Sequence, residues 1–284
     1  MSETVEGWDP AVFAEQAEVL KAVLKPYRAE WKRREKLSVF VEQCARAASR
    51  GDFFLIAELM ETRPAAQVRE EEELEGCEEA LEVLAEAAGV AIERYRAQFV
   101  DDLLAEADAA GLELTVEFPA FRTLPGIEGT VDFSTRTVTI NKTVVKSVEP
   151  KRIVAALAKV EKELYGRSFE PRGFVEELFA IYRVMVDEGK AKLGEGAPMA
   201  DFYLRLVLSR QSEAFFLDLD KQGFRGYAVE ELAVDLWRYA QLGSGKTSSG
   251  HVLRLRPGLD RALWLLDAEG ARRQIAAIAF EAVG

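Results

Sequence analysis

Apolar and polar residues alternate strictly in only one part of the chain. Between Leu112 and Val148, the residues Leu112, Leu114, Val116 and Phe118 interleave with Glu113, Thr115 and Glu117. Further on, Val131, Phe133, Val138 and Ile140 interleave with Thr130, Asp132, Thr137 and Thr139. A period of two buries one face of a strand, so this stretch predicts a strand followed by a central β-hairpin closed at Ser134-Thr135-Arg136. Before it the period is helical. Phe13, Ala17, Leu20, Leu24, Tyr27 and Trp31 recur alternately four and three residues apart, behind Asp9 as a helix cap and Pro10 as a first helical residue. Pro26 has no N–H to donate and is expected to kink or break that helix near Leu24. Gly51 ends it, and Phe53 to Met60 predict a short apolar helix stopped by Pro64. A longer helical run from about 66 to 110 carries Leu74, Leu81, Ala88 and Tyr95 on one seven-residue spacing and Cys77, Leu84 and Ala91 on another. These helices are expected to form an acidic hairpin or bundle over residues 1–111.

After the β stretch the helical period returns. Pro150 opens a helix with Ile153, Leu157, Val160 and Leu164 on one face. Pro171 opens another, in which Phe174, Leu178, Ile181 and Met185 are joined by Val175, Phe179, Tyr182 and Val186. Apolar over more than half its circumference, the second is the expected central buried helix. A shorter helix is predicted from Ala200 to Arg210, a strand or short helix over Ala214–Leu219, and a turn at Gly223–Gly226. Another helix is expected over Val229–Gln241, with Leu232, Ala233, Leu236 and Trp237 inward. Two strands, Val252–Leu255 and Ala262–Leu266, are expected to pair through Pro257-Gly258, ahead of a final helix from about Ala271 to Ala282. A helix followed by a β-hairpin is the coarse pattern of a winged helix, which places such a part at about 212–284. The fold class read from these periods is mainly α with a β minority (α+β), with a helical section at 1–111 and an α+β body at 112–284.

Charge sharpens the division. Residues 1–111 contain 25 acidic and 13 basic side chains, so the net charge of −12 belongs entirely to them and residues 112–284 sum to zero. An acidic helical section is a poor ligand for nucleic acid, whereas a balanced one is not. The acid run Glu70-Glu71-Glu72-Glu73 is read as favouring a helix start, and the basic cluster Lys32 to Lys36 as a solvated helix face. Cys44 and Cys77 lie in predicted helices without metal-ligand spacing, and no apolar stretch is long enough to span a membrane. Together these lead to the expectation of a cytoplasmic protein. A single Asn (Asn141), a single His (His251), four Met and many charges fit a prokaryote, from either a thermophile or a GC-rich genome. One histidine leaves little room for imidazole acid/base chemistry or histidine-held metal.

Several stretches suggest chemistry. Ala240 to Thr247 fits a relaxed phosphate-loop pattern, but the predicted order is helix, loop, strand, the reverse of what phosphate binding needs, and no cofactor is expected. Asp218-Leu-Asp220-Lys-Gln-Gly223 resembles a calcium loop, yet neither register works. With Asp218 first, position 12 is Val229; with Asp220 first, position 6 is Arg225. Asp218 and Asp220 with Asp132, or with Glu113 and Glu117, would instead suit Mg²⁺ in a nuclease or phosphoesterase. His251 has no evident nucleophile beside it, and helical Cys with acidic neighbours do not favour thiolate chemistry. The remaining set is basic: Arg254, Arg256, Arg261, Arg272 and Arg273. Arg254 and Arg256 share one strand face and suit phosphate contact, while Asp260, Asp267 and Glu269 dilute the field.

No strong catalytic constellation emerges. The expected function is therefore a non-enzymatic assembly or regulatory protein. Its N-terminal helices would contact a protein partner or self-associate, and its C-terminal basic hairpin could meet nucleic acid. The alternative is a metal-dependent hydrolase acting through Asp132, Asp218 and Asp220.

Overall fold

The computed structural model describes residues 10–71, 73–218, 221–242 and 246–282. Helix accounts for 58% and strand for 16%, which makes the chain α+β with helix dominant. The chain divides into two compact units within one helix, the first running to Phe99 and the second from Val100.

The first unit opens with helix α1 (Pro10–Arg50), which continues through Pro26 instead of breaking there. The missing N–H costs one hydrogen bond at an exposed stretch, where water can meet the orphaned carbonyl. Gly51, at φ 64, turns the chain into α2 (Phe53–Met60), capped by the Asp52 carboxylate accepting from the Leu55 N–H at 3.0 Å. Helix α3 (Arg63–Arg69) carries Pro64 in its first turn, and α4 (Cys77–Ala109) completes the set. Leu37, Phe40, Cys44 and Ala47 of α1 form one helical face. They share a core with Ile56 and Leu59 of α2, Ala65 and Val68 of α3, and Leu81 and Ala88 of α4. Of the two expected forms, the helices adopt the small bundle. Direction follows from its two ends: Arg33 and Arg34 pair with Glu71 and Glu73 just ahead of α4, while Phe53 and Phe54 at the far end of α1 pack on Tyr95 of α4. Helix α4 thus runs the same way as the C-terminal half of α1, and α2 and α3 provide the return.

The second unit contains two sheets. The predicted central hairpin belongs to a five-stranded antiparallel meander of β1 (Thr115–Glu117), β2 (Ala120–Arg122), β3 (Glu128–Asp132), β4 (Thr137–Ile140) and β5 (Thr143–Val145). Val131 faces Val138 across its centre, and Phe121, Val131, Val138 and Ile140 are buried. Asn141, the lone asparagine, sits at φ 52 in the β4–β5 turn. Its side chain accepts from the Glu128 N–H and donates to the Gly126 carbonyl, which ties the turn to the loop before β3.

Helices α5 (Pro150–Tyr165) and α6 (Pro171–Asp187) follow, both started by proline as expected. Helix α6 buries Phe174, Val175, Leu178, Phe179, Ile181, Tyr182 and Met185. Strand β6 (Ala197–Pro198), α7 (Met199–Ser209), α8 (Glu213–Asp218) and α9 (Val229–Gln241) lead to β7 (His251–Pro257), β8 (Leu263–Leu266) and β9 (Arg272–Ala282).

Here two expectations are corrected. Residues 271–282 form a strand rather than a helix, and β7 and β8 pair with β9 rather than with each other. Arg254 lies opposite Ala279 and Leu265 opposite Arg273, while β6 adds Ala197 opposite Ile278. The Ala-rich run Ile275 to Ala282 has good helix propensity. The buried positions Ile278, Ala279 and Phe280, together with a ladder along β7, outweigh it. The helix-plus-hairpin pattern expected of a winged helix is therefore not the one formed.

A polar hub joins the helices of this unit. Asp235 of α9, 4% exposed, accepts from Arg167 Nη2 at 3.0 Å and from the Tyr227 hydroxyl at 2.7 Å. The Arg210 guanidinium lies 3.6 Å from the Tyr227 ring centroid and makes two hydrogen bonds to Glu177 of α6. Burial first, then the charge of Asp235, pushes the Tyr227 hydroxyl far above the usual tyrosine range, so it is a donor at any physiological pH. Asp235→Ala would leave Arg167 and Tyr227 without their shared acceptor. Arg167 keeps Glu231 at 3.3 Å, so the expected cost is that of the unsatisfied donors, roughly 1–3 kcal/mol, read as a lower urea midpoint at unchanged slope. A shift below about 1 kcal/mol would show that the hub does not hold these helices.

Candidate functional site

The face that α1 buries changes along its length. From Leu37 onward its apolar residues lie in the bundle core, with Leu37 only 2% exposed. Ahead of that point the heptad stripe is exposed among the described residues: Leu20 is 64% exposed, Tyr27 72% and Trp31 59%, with Val12, Val19, Val23 and Leu24 also in solvent. At about 100° per residue, the stripe is centred roughly 160° around the helix from the core face. It is therefore not an extension of the seam that α1 uses in its own bundle. Residues 10–36 form an arm about 40 Å long with an apolar arc far wider than the scattered single side chains of an ordinary surface.

The arm also carries charge. Residues 21–36 contain seven basic and two acidic side chains inside an otherwise acidic section. Arg33 and Arg34 are held by Glu30, Glu71 and Glu73, and their hydrogen bonds draw the Glu30 carboxyl down to about 2. Lys25, Arg28 and Lys32 make no ion pair among the described residues.

The five candidate arginines are only partly brought together. Arg254 and Arg256 of β7 both face Glu281 of β9, at 3.7 and 3.1 Å. Arg261 is bidentate to Asp201, Arg272 pairs with Glu128 at 3.2 Å, and Arg273 pairs with Asp267 at 3.0 Å. Each guanidinium thus meets a carboxylate of the same chain, and the set spans three strands or loops rather than one hairpin. Phosphate would compete with those carboxylates at every one of them.

Of the candidate carboxylates, Asp132 accepts from the hydroxyls of Ser134 and Thr135 and from the Ser134 N–H, which closes the β3–β4 turn. The Asp218 side chain and Asp220 lie outside the described residues, as do Gly243, Ser244 and Gly245 of the phosphate-loop-like stretch. Among the described residues, no three His, Cys, Asp or Glu side chains are grouped so as to hold a metal. Lys246 bridges to Val252, and the buried Thr247 exchanges hydrogen bonds with His251. This segment is a turn into β7, so the helix–loop–strand order stands. The His251 ring stacks on Phe179 with centroids 4.7 Å apart, and its Nδ1 lies 3.1 Å from the Ser249 hydroxyl. Cys44 and Cys77 are free, and burial pushes both thiols upward, in Cys44 with a smaller push from Cys77.

An open concavity of about 390 Å³ lies on the wet face of the meander, lined by Thr115, Glu117, Arg122, Thr130, Thr139 and Asn141. Glu117 and Arg122 already face each other across it at 3.7 Å, and no buried polar group points into it.

The arm was legible in the sequence as a stripe. What the stripe alone did not reveal is that no described residue covers it between Leu20 and Trp31. The change from a 13–31 series to a 37–47 series, out of phase with it, was the available signal. No protein-family model, curated protein or solved structure matches the chain.

Asp132 offers a direct check on the β-turn. The Ser134 hydroxyl first, then that of Thr135, holds its carboxyl at about 2. With the folded value depressed, this contribution to stability is present above about pH 4 and is lost as pH falls through 2. A carboxyl-carbon NMR titration should give a midpoint near 2; a midpoint in the ordinary range near 4 would show a free carboxylate.

Proposed function

We propose that this protein is a non-enzymatic assembly protein whose N-terminal α1 arm is its docking element. The observation that carries the reading is the exposed apolar arc from Phe13 to Trp31, on a face its own bundle does not use. Helix-in-groove or helix-on-helix binding reads such an arc as anchors at i, i+3, i+4 and i+7, with the aromatic residues Phe13, Tyr27 and Trp31 as the largest contributors. No helix among the described residues is long and apolar enough to cross a membrane. The two free, inert thiols agree with a reducing cytoplasm. Nucleic-acid contact through Arg254 and Arg256 is the weaker part of the reading, because Glu281 already faces both. Among the described residues no side-chain cluster favours a metal-dependent hydrolase.

A photoreactive side chain at Leu20 or Val23, irradiated in the cells that make the protein, should form a discrete protein adduct. One at Val144, exposed on the meander, should not. Leu24→Glu should reduce the Leu20 adduct at least about tenfold, as expected for losing a buried anchor. Irradiation that yields no protein adduct at Leu20 or Val23 would overturn the proposal.

A further inference from the structure

The arm has an edge as well as a face. Going around the helix, its apolar arc is followed on one side by Arg28, Lys21, Lys32 and Lys25, and on the other by the apolar Val12, Val19 and Val23. A surface of the opposite kind occurs on the same unit. The outer face of α4 exposes Val83 (62%) and Val90 (67%) with Ala80 and Ala87, away from Leu81 and Ala88, which enter the core. Glu79, Glu86 and Glu93 run along one edge of that face at seven-residue spacing, and residues 75–93 contain six acidic side chains and no basic one. Glu79 and Glu86, like Lys25, Arg28 and Lys32, make no ion pair among the described residues.

We infer that the arm of one copy docks, parallel, on the outer face of α4 in a second copy. This inference rests on the assembly reading above and names the partner. In a parallel pair of helices with seven-residue periods, apolar positions meet level by level. The residue flanking the seam on one helix then pairs with the opposite flank of the other. Setting Leu20 opposite Val83 places Leu24 opposite Ala87, Tyr27 opposite Val90 and Trp31 beside Arg94, a cation for its indole face. In that same register Lys21 meets Glu79 and Arg28 meets Glu86. The uncharged flank follows suit, with Val23 against Ala91. An antiparallel pairing would instead bring the basic edge to the side of α4 away from its glutamates. One choice of register therefore satisfies the apolar layers and both charge rows together.

The α4 that receives the arm cannot be its own. Helix α1 is continuous, and the Arg33–Glu71 and Arg34–Glu73 pairs set the start of the α4 side beside the base of the arm, so the arm extends away from that helix. Arm and receptor are different patches, making the contact heterologous. A parallel docking shifts successive copies along the helix direction, so the contact repeats without closing.

Sedimentation velocity of the full chain over a concentration series tests this. The mean mass should rise with concentration without a plateau. K21E/R28E and E79K/E86K should each weaken association about tenfold or more, and the four changes combined should restore it to within a few-fold of the original. Loss in K21E/R28E with none in E79K/E86K would overturn the α4 assignment while leaving the assembly reading intact. A monomer at every concentration would overturn self-docking. The photo-adduct would then decide the assembly reading separately, since an adduct with a different protein keeps it and no adduct removes it.

Discussion

A side chain on an α-helix returns to the same face only after whole turns, and that rotation separates the two halves of α1. Leu37, Phe40, Cys44 and Ala47 bring one face to the bundle, while Phe13 to Trp31 bring nearly the opposite face to water. A helix held rigid by its own backbone hydrogen bonds cannot twist to cover both. The bundle is completed by two short helices and α4 without using the arm's apolar stripe, so that stripe is surplus to the fold of its unit. Apolar surface of that extent is costly to leave in water, which is the physical reason for assigning it to a partner.

The second unit is organised differently. Strand β9 receives β6, β7 and β8, and α6 supplies the aromatic packing that meets it, with Phe280 against both Phe179 and Tyr182. Helix packing alone would leave the polar sides of α6, α7 and α9 unregistered. The Arg167–Asp235–Tyr227 hub and the Arg210–Glu177 pair provide directional contacts that apolar side chains cannot, because a hydrogen bond fixes angle as well as distance.

Much of the architecture was legible in the residues. The prolines at 150 and 171 marked helix starts, the apolar circumference of α6 marked it as buried, and the alternation around Val131 and Val138 marked the hairpin. The failures have physical causes. Pro26 allowed a kink or a break, and of the two the break does not occur, because a solvent-exposed helix can lose one hydrogen bond and continue. Ile275 to Ala282 satisfies a helical period, and nothing local reveals that β7 will offer it a ladder. Likewise Pro257-Gly258 suggested a hairpin whose two strands in fact share β9. Strand β2 is too short, with only Phe121 buried, to register as a period. Of the site, the stripe was visible while its lack of cover was not, since exposure depends on where α2, α3 and α4 fold. Glu79 and Glu86 were visible only as part of an acidic helix; their edge acquires meaning once Leu81 and Ala88 are known to point inward.

The pairing pattern of the two sheets also has a consequence in time. In the meander each strand meets its sequence neighbour, so every ladder closes a short loop. In the other sheet Ala197 must find Ile278 and His251 must find Ala282 across long intervening segments. Loop-closure entropy rises with the length enclosed, and chains dominated by distant pairings fold more slowly. The meander is thus the early-forming sheet. The β9 sheet, whose edges stay unpaired until α5 to α9 have condensed, is the stage at which a folding chain is most open to pairing with the wrong strand.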